Sequence, residues 1–370
     1  MKIKINDEFK QETLSFIKSL KKENSFGFLP AKEGLTKEGQ SLDLGFSCLA
    51  LKSFYILNEW EKLSQIESKN WLDYINSFQV KNNYKFPDGS FVDPNYYKLI
   101  NRIDIYKEIK RLGKRALGKN YKSKETEIDE YIRAETKQAI SSLHQVGSKN
   151  SIKYRSHVFE SNKLTSYLDS LNWKTPWTSG AQFAGLSVFL ETQELEDKKY
   201  LKLKEQLLTF SNNLVDKNTG CYFKESVISQ SEMINGAMKV LTGLDWLGVP
   251  VHEPKSLIDT CLKVKPFSHG CDIVDIVYVL YMCAKETTHK RTEIVHYLDE
   301  IELLISKHYQ LYTGGFSYFY QKSQNYYYGL TISKGINTGD LHGTTLLLWA
   351  YSMINYIKEN EYTELRLIKP

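Results

Sequence analysis

The chain has 370 residues, 41% of them hydrophobic and 25% charged, with both signs mixed and a formal net charge of +5. That length can bury a sizeable core, and so small a net charge gives no electrostatic case for nucleic acid as the main ligand. The charged N-terminal stretch MKIKINDEFKQETLSFIKSLKKEN does not read as a secretory signal, and no apolar run reaches the roughly 18 residues of a membrane span.

Five scattered cysteines (Cys48, Cys221, Cys261, Cys271 and Cys283) fit reduced thiols and a cytoplasmic location better than a disulfide framework. Taken in chain order, apolar residues recur every three or four positions, the period of a helix with one buried face. The pattern predicts helices over 42–57, 71–80, 128–143, 180–192, 200–215, 231–247, 271–284, 293–309 and within 335–354, with weaker segments near 7–20, 101–115 and 255–264. About twelve helices make six hairpins, and period-two alternation is nearly absent. The basic stretch KRLGKRALGKNYKSKETE (110–127) reads as a flexible surface insertion within one domain spanning 1–370.

Punctuation recurs between the helices. SFGF (25–28), PDGSF (87–91), NTGCYF (218–223) and TGGFSYF (313–319) each put glycine just before an aromatic. Glycine permits a tight turn, and the aromatic plugs the end of a helix layer. The spacing is too uneven for a strict solenoid.

TGGFSYF followed by DLHGTTLLLWAYSMI, with HGCDIVDIVYVLYMC before it, resembles the end of the toroid shared by terpene cyclases and protein prenyltransferase β subunits. The resemblance covers about residues 265–355. It implies an all-α (α/α)6 toroid of about twelve helices around a central cavity. It also implies a zinc set of His269, Cys271 and His342, with His269 standing where that family has aspartate. Neither the DxDD acid motif nor the DDxxD diphosphate motif occurs.

In such a toroid the first turns of the inner helices converge on the cavity. The residues then expected there are Asp340, His342 and Thr344; Ser179 and Gln182; Glu232 and Asn235; Cys271, Asp272 and Asp275; and Arg133, Glu135 and Gln138. Asp272, Asp275, Asp340, His342 and Glu232 are the candidate acid–base groups. Trp173, Trp177, Gln182, Asn235, Arg133 and Glu135 are the candidate substrate contacts. Each has a structural alternative. Asp340 would serve as an N-cap, His342 as an interhelix histidine, Cys271 as a small buried hydrophobe, and the aspartates as helix-dipole partners. Lys239, four residues after Asn235, is either its pocket partner or a snorkelling surface lysine.

Three functional readings follow. The first is a zinc-assisted enzyme on an isoprenoid-like substrate. The second is a metal-free glycan hydrolase or lyase using Asp/Glu, His and Tyr. The third is a non-catalytic scaffold whose cavity holds a lipid or glycan or whose rim holds a protein partner.

Overall fold

The computed structural model describes residues 2–102, 123–161, 163–225, 229–265, 269–358 and 365–370. Its helices are α1 (Asp7–Ser19), α2 (Lys37–Ser41), α3 (Leu44–Ile56), α4 (Gln65–Asn76), α5 (Pro94–Ile100), α6 (Lys124–Gln145), α7 (His157–Glu160), α8 (Leu164–Ser170), α9 (Pro176–Thr192), α10 (Asp197–Leu214), α11 (Gln230–Leu247), α12 (Pro254–Cys261), α13 (Gly270–Ala284), α14 (Arg291–Ser306) and α15 (Leu341–Lys358). Four two-residue strands, β1 (Tyr309–Gln310) to β4 (Leu330–Thr331), form two small antiparallel hairpins ahead of α15.

The ring closes on itself. Helix α3 packs on α6, α6 on α9, α9 on α11, α11 on α13, α13 on α15, and α15 returns to α3. Helices α1, α4, α8, α10, α12 and α14 form the outer layer, so the fold is an all-α toroid of six hairpins. The two layers differ as their sequences require. Every residue of α3 except Tyr55 is buried, because one side faces the outer layer and the others face ring neighbours and the interior. Outer helix α10 buries only the stripe Leu203, Leu207, Phe210, Ser211 and Leu214, the spacing of a helix with one face in water.

Two expected boundaries shift for identifiable reasons. The helix expected over 71–80 is Gln65–Asn76, because Ser64 and Glu67 form a capping box that starts it ahead of its apolar residues. Pro176 in the first turn starts α9 before its apolar run. Residues 103–122, which hold most of the expected 101–115 helix and of the basic 110–127 stretch, lie outside the described residues. Ser123 caps α6, which opens with the remainder of that stretch.

The glycine–aromatic turns share a structural job. In each, a residue just beyond an outer helix pairs antiparallel with the aromatic: Lys21 with Phe28, Gln79 with Phe91, Val215 with Tyr222, and Tyr309 with Phe316. Gly220 has φ +72°, which a side chain would strain.

Asp340 ties the last inner helix to the loop before it. Its carboxylate accepts backbone N–H bonds from Gly343 at 2.7 Å, Tyr318 at 2.6 Å and Gln324 at 3.0 Å. Gly343 lets the loop approach: a Cβ there would lie 2.5 Å from the Tyr318 nitrogen. Asp340 is 1% exposed, so its removal orphans three donors at about 1 kcal/mol or more each. Asp340→Ala is expected to lower the urea-unfolding free energy by about 3 kcal/mol, with Asp340→Asn recovering part of it. A loss below about 1 kcal/mol would count against the pin.

Candidate active site

The inward faces of the six ring helices, roofed by the loop that carries the two small hairpins, enclose a cavity of about 530 Å³. Its wall carries four cations, Lys52, Arg133, Lys137 and Lys239, against two carboxylates, Glu130 and Asp275. Six tyrosines, three threonines, Gln138, Gln182, Gln324, Cys271 and His342 add to the polar lining. Trp177, 38% exposed, and Tyr326, 52% exposed, mark the mouth at the rim where the inner helices begin.

Near that rim four groups meet. Asp275 is 1% exposed and lies 3.8 Å from Lys239 Nζ, and among the described residues neither of its oxygens has a hydrogen bond. Burial lifts its carboxyl to about 6 against the pull of Lys239. Among the described residues His342 Nδ1 has no hydrogen-bond partner; burial and then the Lys239 charge push its imidazole down to about 4, so it is uncharged at neutral pH. Tyr318 lies beside it, ring centroids 5.4 Å apart. The backbone of Tyr318 is held twice, its N–H by Asp340 and its carbonyl by the Gly270 N–H at 2.8 Å. Burial, reinforced by Cys271 and the nearby aspartates, holds its phenol well above the ordinary tyrosine range, so it keeps its proton. Burial pushes the Cys271 thiol up to about 12.

The lysines form a second group. Lys52 donates to Ser141 Oγ at 3.1 Å, and burial lowers it to about 8. Lys137 is driven well below the ordinary lysine range by burial first and then by Lys52 and Lys239. The charges of Lys52 and Lys239 therefore repel a proton on Lys137 across one enclosed space. An anion placed among them relieves that repulsion.

The structure sorts the residues expected at the site into two sets. His342, Cys271, Asp275, Arg133, Gln138, Gln182, Trp177 and Lys239 line the cavity. Tyr167 donates to Gln182 Oε1 at 3.2 Å, and the Arg133 guanidinium lies 5.2 Å from the Tyr167 ring while pairing with Asp129 at 3.2 Å. Lys239 is a pocket residue, not a snorkelling one.

The other expected residues serve the frame. Asp272 accepts from Asn235 Nδ2 at 2.7 Å and pairs with His269 Nε2 at 3.1 Å, a knot joining α11 to α13. Glu232 accepts the Trp177 N–H at 2.9 Å, which caps α9 from the neighbouring helix. Trp173 is buried in the outer layer against Phe210, its indole donating to the Leu168 carbonyl. Ser179 donates to the Asn172 carbonyl, and Thr344 Oγ1 accepts the Phe316 N–H. Glu135 lies behind the wall, accepting from the Tyr327 hydroxyl at 2.6 Å.

His269 is the N-cap of α13, with both ring nitrogens engaged by Asp272. Among the described residues no group of three or more His, Cys, Asp or Glu is placed to hold a metal ion.

Sequence reasoning missed Lys52, Lys137, Glu130 and the individual tyrosines. A lysine inside the apolar run LGFSCLALKSFYI was a usable signal, since a buried ammonium needs a reason. The tyrosines gave none, because a half-buried loop has the same composition.

No protein-family model matches this chain, and no curated protein does. A solved structure similar to it is that of a polysaccharide lyase, with a TM-score of 0.44 and 12% identity, covering 87% of this chain and 91% of that one. The toroid is read here from the chain's own helix packing. No helix among the described residues is long and apolar enough to cross a membrane.

The buried Glu135 carries a pH signature. Burial raises it from 4.5 to about 8, against the Tyr327 hydrogen bond. Between those values the folded state holds a proton that the unfolded chain releases, so stability is full below the lower value and falls as pH rises to the upper one. The slope is about 1.4 kcal/mol per pH unit. Glu135→Gln is expected to flatten the decline in melting temperature from pH 5 to pH 8, and an unchanged decline would show that Glu135 is ionised in the folded protein.

Proposed function

We propose that this chain is an enzyme that cleaves an acidic glycan by β-elimination in the central cavity. The observation that carries the proposal is the presence of an uncharged imidazole, a protonated phenol and a group of lysines in one cavity: His342, Tyr318, and Lys239 with Lys137 and Lys52. Elimination next to a carboxylate needs those three things: a base for the proton on the carbon bearing the carboxylate, an acid for the departing oxygen, and fixed positive charge for the negative charge that builds up on the carboxylate.

The roles follow from position and charge. A uronate carboxylate held by the lysines sits where their mutual repulsion is relieved. That carboxylate offsets the Lys239 charge which depresses His342, so substrate binding itself raises the basicity of the imidazole. His342 takes the proton from the carbon next to the carboxylate. The electron pair of that C–H bond becomes the new C=C bond, and the adjacent C–O bond to the neighbouring sugar breaks with its pair going to oxygen. Tyr318 gives its proton to that oxygen. No water or oxidant is consumed, and the proton on His342 returns to Tyr318 for the next cycle. Asp275, 3.8 Å from Lys239, positions that ammonium. Trp177 and Tyr326 at the mouth offer flat apolar faces to sugar rings.

Hydrolysis asks for a carboxylate pair flanking the bond. The cation excess of the wall favours elimination instead. The isoprenoid reading drew on the His-x-Cys…His set, whose first member is committed to capping α13.

Incubation with alginate, polygalacturonate, hyaluronan and chondroitin sulfate is expected to give the ultraviolet absorbance of an unsaturated uronate with at least one of them. No gain with any of the four would sink the proposal. His342→Ala and Tyr318→Phe should each lower kcat by about 100-fold or more, while Lys137→Ala raises KM more than it lowers kcat. The lysines bind anions only when charged, so KM should rise as pH climbs past about 8, the value for Lys52. Elemental analysis tests the zinc expectation separately: stoichiometric zinc lost in Cys271→Ala would replace this mechanism.

A further inference from the structure

The cavity has a floor as well as a mouth. Residues 365–370 run across the ring at the end where the inner helices finish, and they are bonded to three of those helices. Arg366 N–H donates to the Ile56 carbonyl of α3 at 2.8 Å, Lys369 N–H to Gln145 Oε1 of α6 at 2.7 Å, and Trp246 Nε1 of α11 to the Pro370 carbonyl at 2.6 Å. The Lys369 ammonium sits 4.8 Å from the Trp246 ring centroid, and Leu365 and Ile368 are buried. Ile368 and Pro370 themselves line the cavity. A polymer threading the ring from rim to rim would have to displace this segment.

Depth along α15 sets how much of a ligand fits. His342 is in its first turn and Trp349, also on the cavity wall, lies seven residues further in. At 1.5 Å per residue that places roughly 10 Å of barrel beyond His342. The reacting groups therefore stand near the mouth of a blind pocket, with the lysines around its middle.

We propose that the pocket admits the end of a chain and not its interior. A terminal acidic residue enters, its carboxylate settles among Lys52, Lys137 and Lys239, and the bond cut is the one that crosses the level of His342 and Tyr318. Residues 365–370 are then the segment that decides substrate length. This rests on the elimination reading given above. It adds that products leave from one end as short saccharides while the polymer keeps its length.

Two measurements test it. In the first, the acidic polymer that gives the absorbance signal is followed at once by absorbance and by viscosity. End-wise cutting predicts short products from the first time point with viscosity almost unchanged, whereas an early collapse of viscosity with products of mixed length overturns the blind-pocket reading and leaves elimination standing. In the second, which needs no turnover, His342→Ala protein is titrated with the same four polymers and with short oligouronates, and complex mass is read by light scattering. One protein per polymer chain, whatever its length, is the expected result. Several proteins along one chain would overturn end capture alone. Binding of neither polymers nor oligomers, together with no absorbance from the wild-type chain, would overturn both proposals. Ile368→Gly with Pro370→Gly tests the floor directly: products should lengthen. Unchanged product length would show that the segment does not limit the pocket.

Discussion

Six helices in one ring start at the same rim, and each start leaves backbone N–H groups without helical partners and adds the positive end of a helix dipole. Carboxylates gather there in response. Asp93 accepts from the Asp43 and Leu44 nitrogens at the head of α3, although it belongs to the next hairpin. Glu232, on α11, does the same for α9. Asp272 joins α11 to α13, and Asp340 joins α15 to the loop before it. Each of these bonds links one hairpin to a neighbour or to a connecting loop, so the groups that satisfy the helix ends also set the order of the ring.

Below the rim the demands reverse. The outward and lateral faces of the inner helices are committed to packing, which leaves the inward face as the place where unpaired polar groups can stand. They stand in an enclosed, mostly buried space, so ionised groups are costly there. The directions of the shifts agree with that cost: the Asp275 carboxyl and the Tyr318 phenol are lifted, while Lys52, Lys137 and His342 are lowered. Asp272 and Asp275, three residues apart, show how sharp the divide is. Asp272 is bonded to Asn235 and His269, whereas Asp275 has no hydrogen bond and faces the lysine side of the cavity.

The rim and the cavity meet at Tyr318. Its backbone is fixed by Asp340 and by the Gly270 amide, and its ring lies against His342 and stacks on His269. A loop residue is thereby placed as firmly as one on a helix. Asp340 supports the cavity chemistry through the backbones of Tyr318 and Gln324 and by capping the helix that carries His342. The aspartate and the histidine of the DLH triplet thus divide the work, one holding the loop and the other facing the ligand space.

Helical periodicity and the glycine–aromatic turns were enough to determine a stack of six hairpins, because those signals are local: a buried stripe recurs every three or four residues whatever the stripe packs against. The placement of His342, Cys271, Asp275, Gln182 and Trp177 on the cavity wall was also legible, since they lie in the first turns of apolar inner helices. The division of the carboxylates was not. Asp272, Asp340 and Glu232 carry the same local signal as Asp275, and what separates them is whether a neighbouring hairpin presents an N–H group or an amide. The lysine group was equally hidden, because Lys52, Lys137 and Lys239 lie on three helices far apart in sequence. Only closure of the ring brings their charges into one enclosed space, and only the folded chain lays residues 365–370 across the far ends of three of its helices.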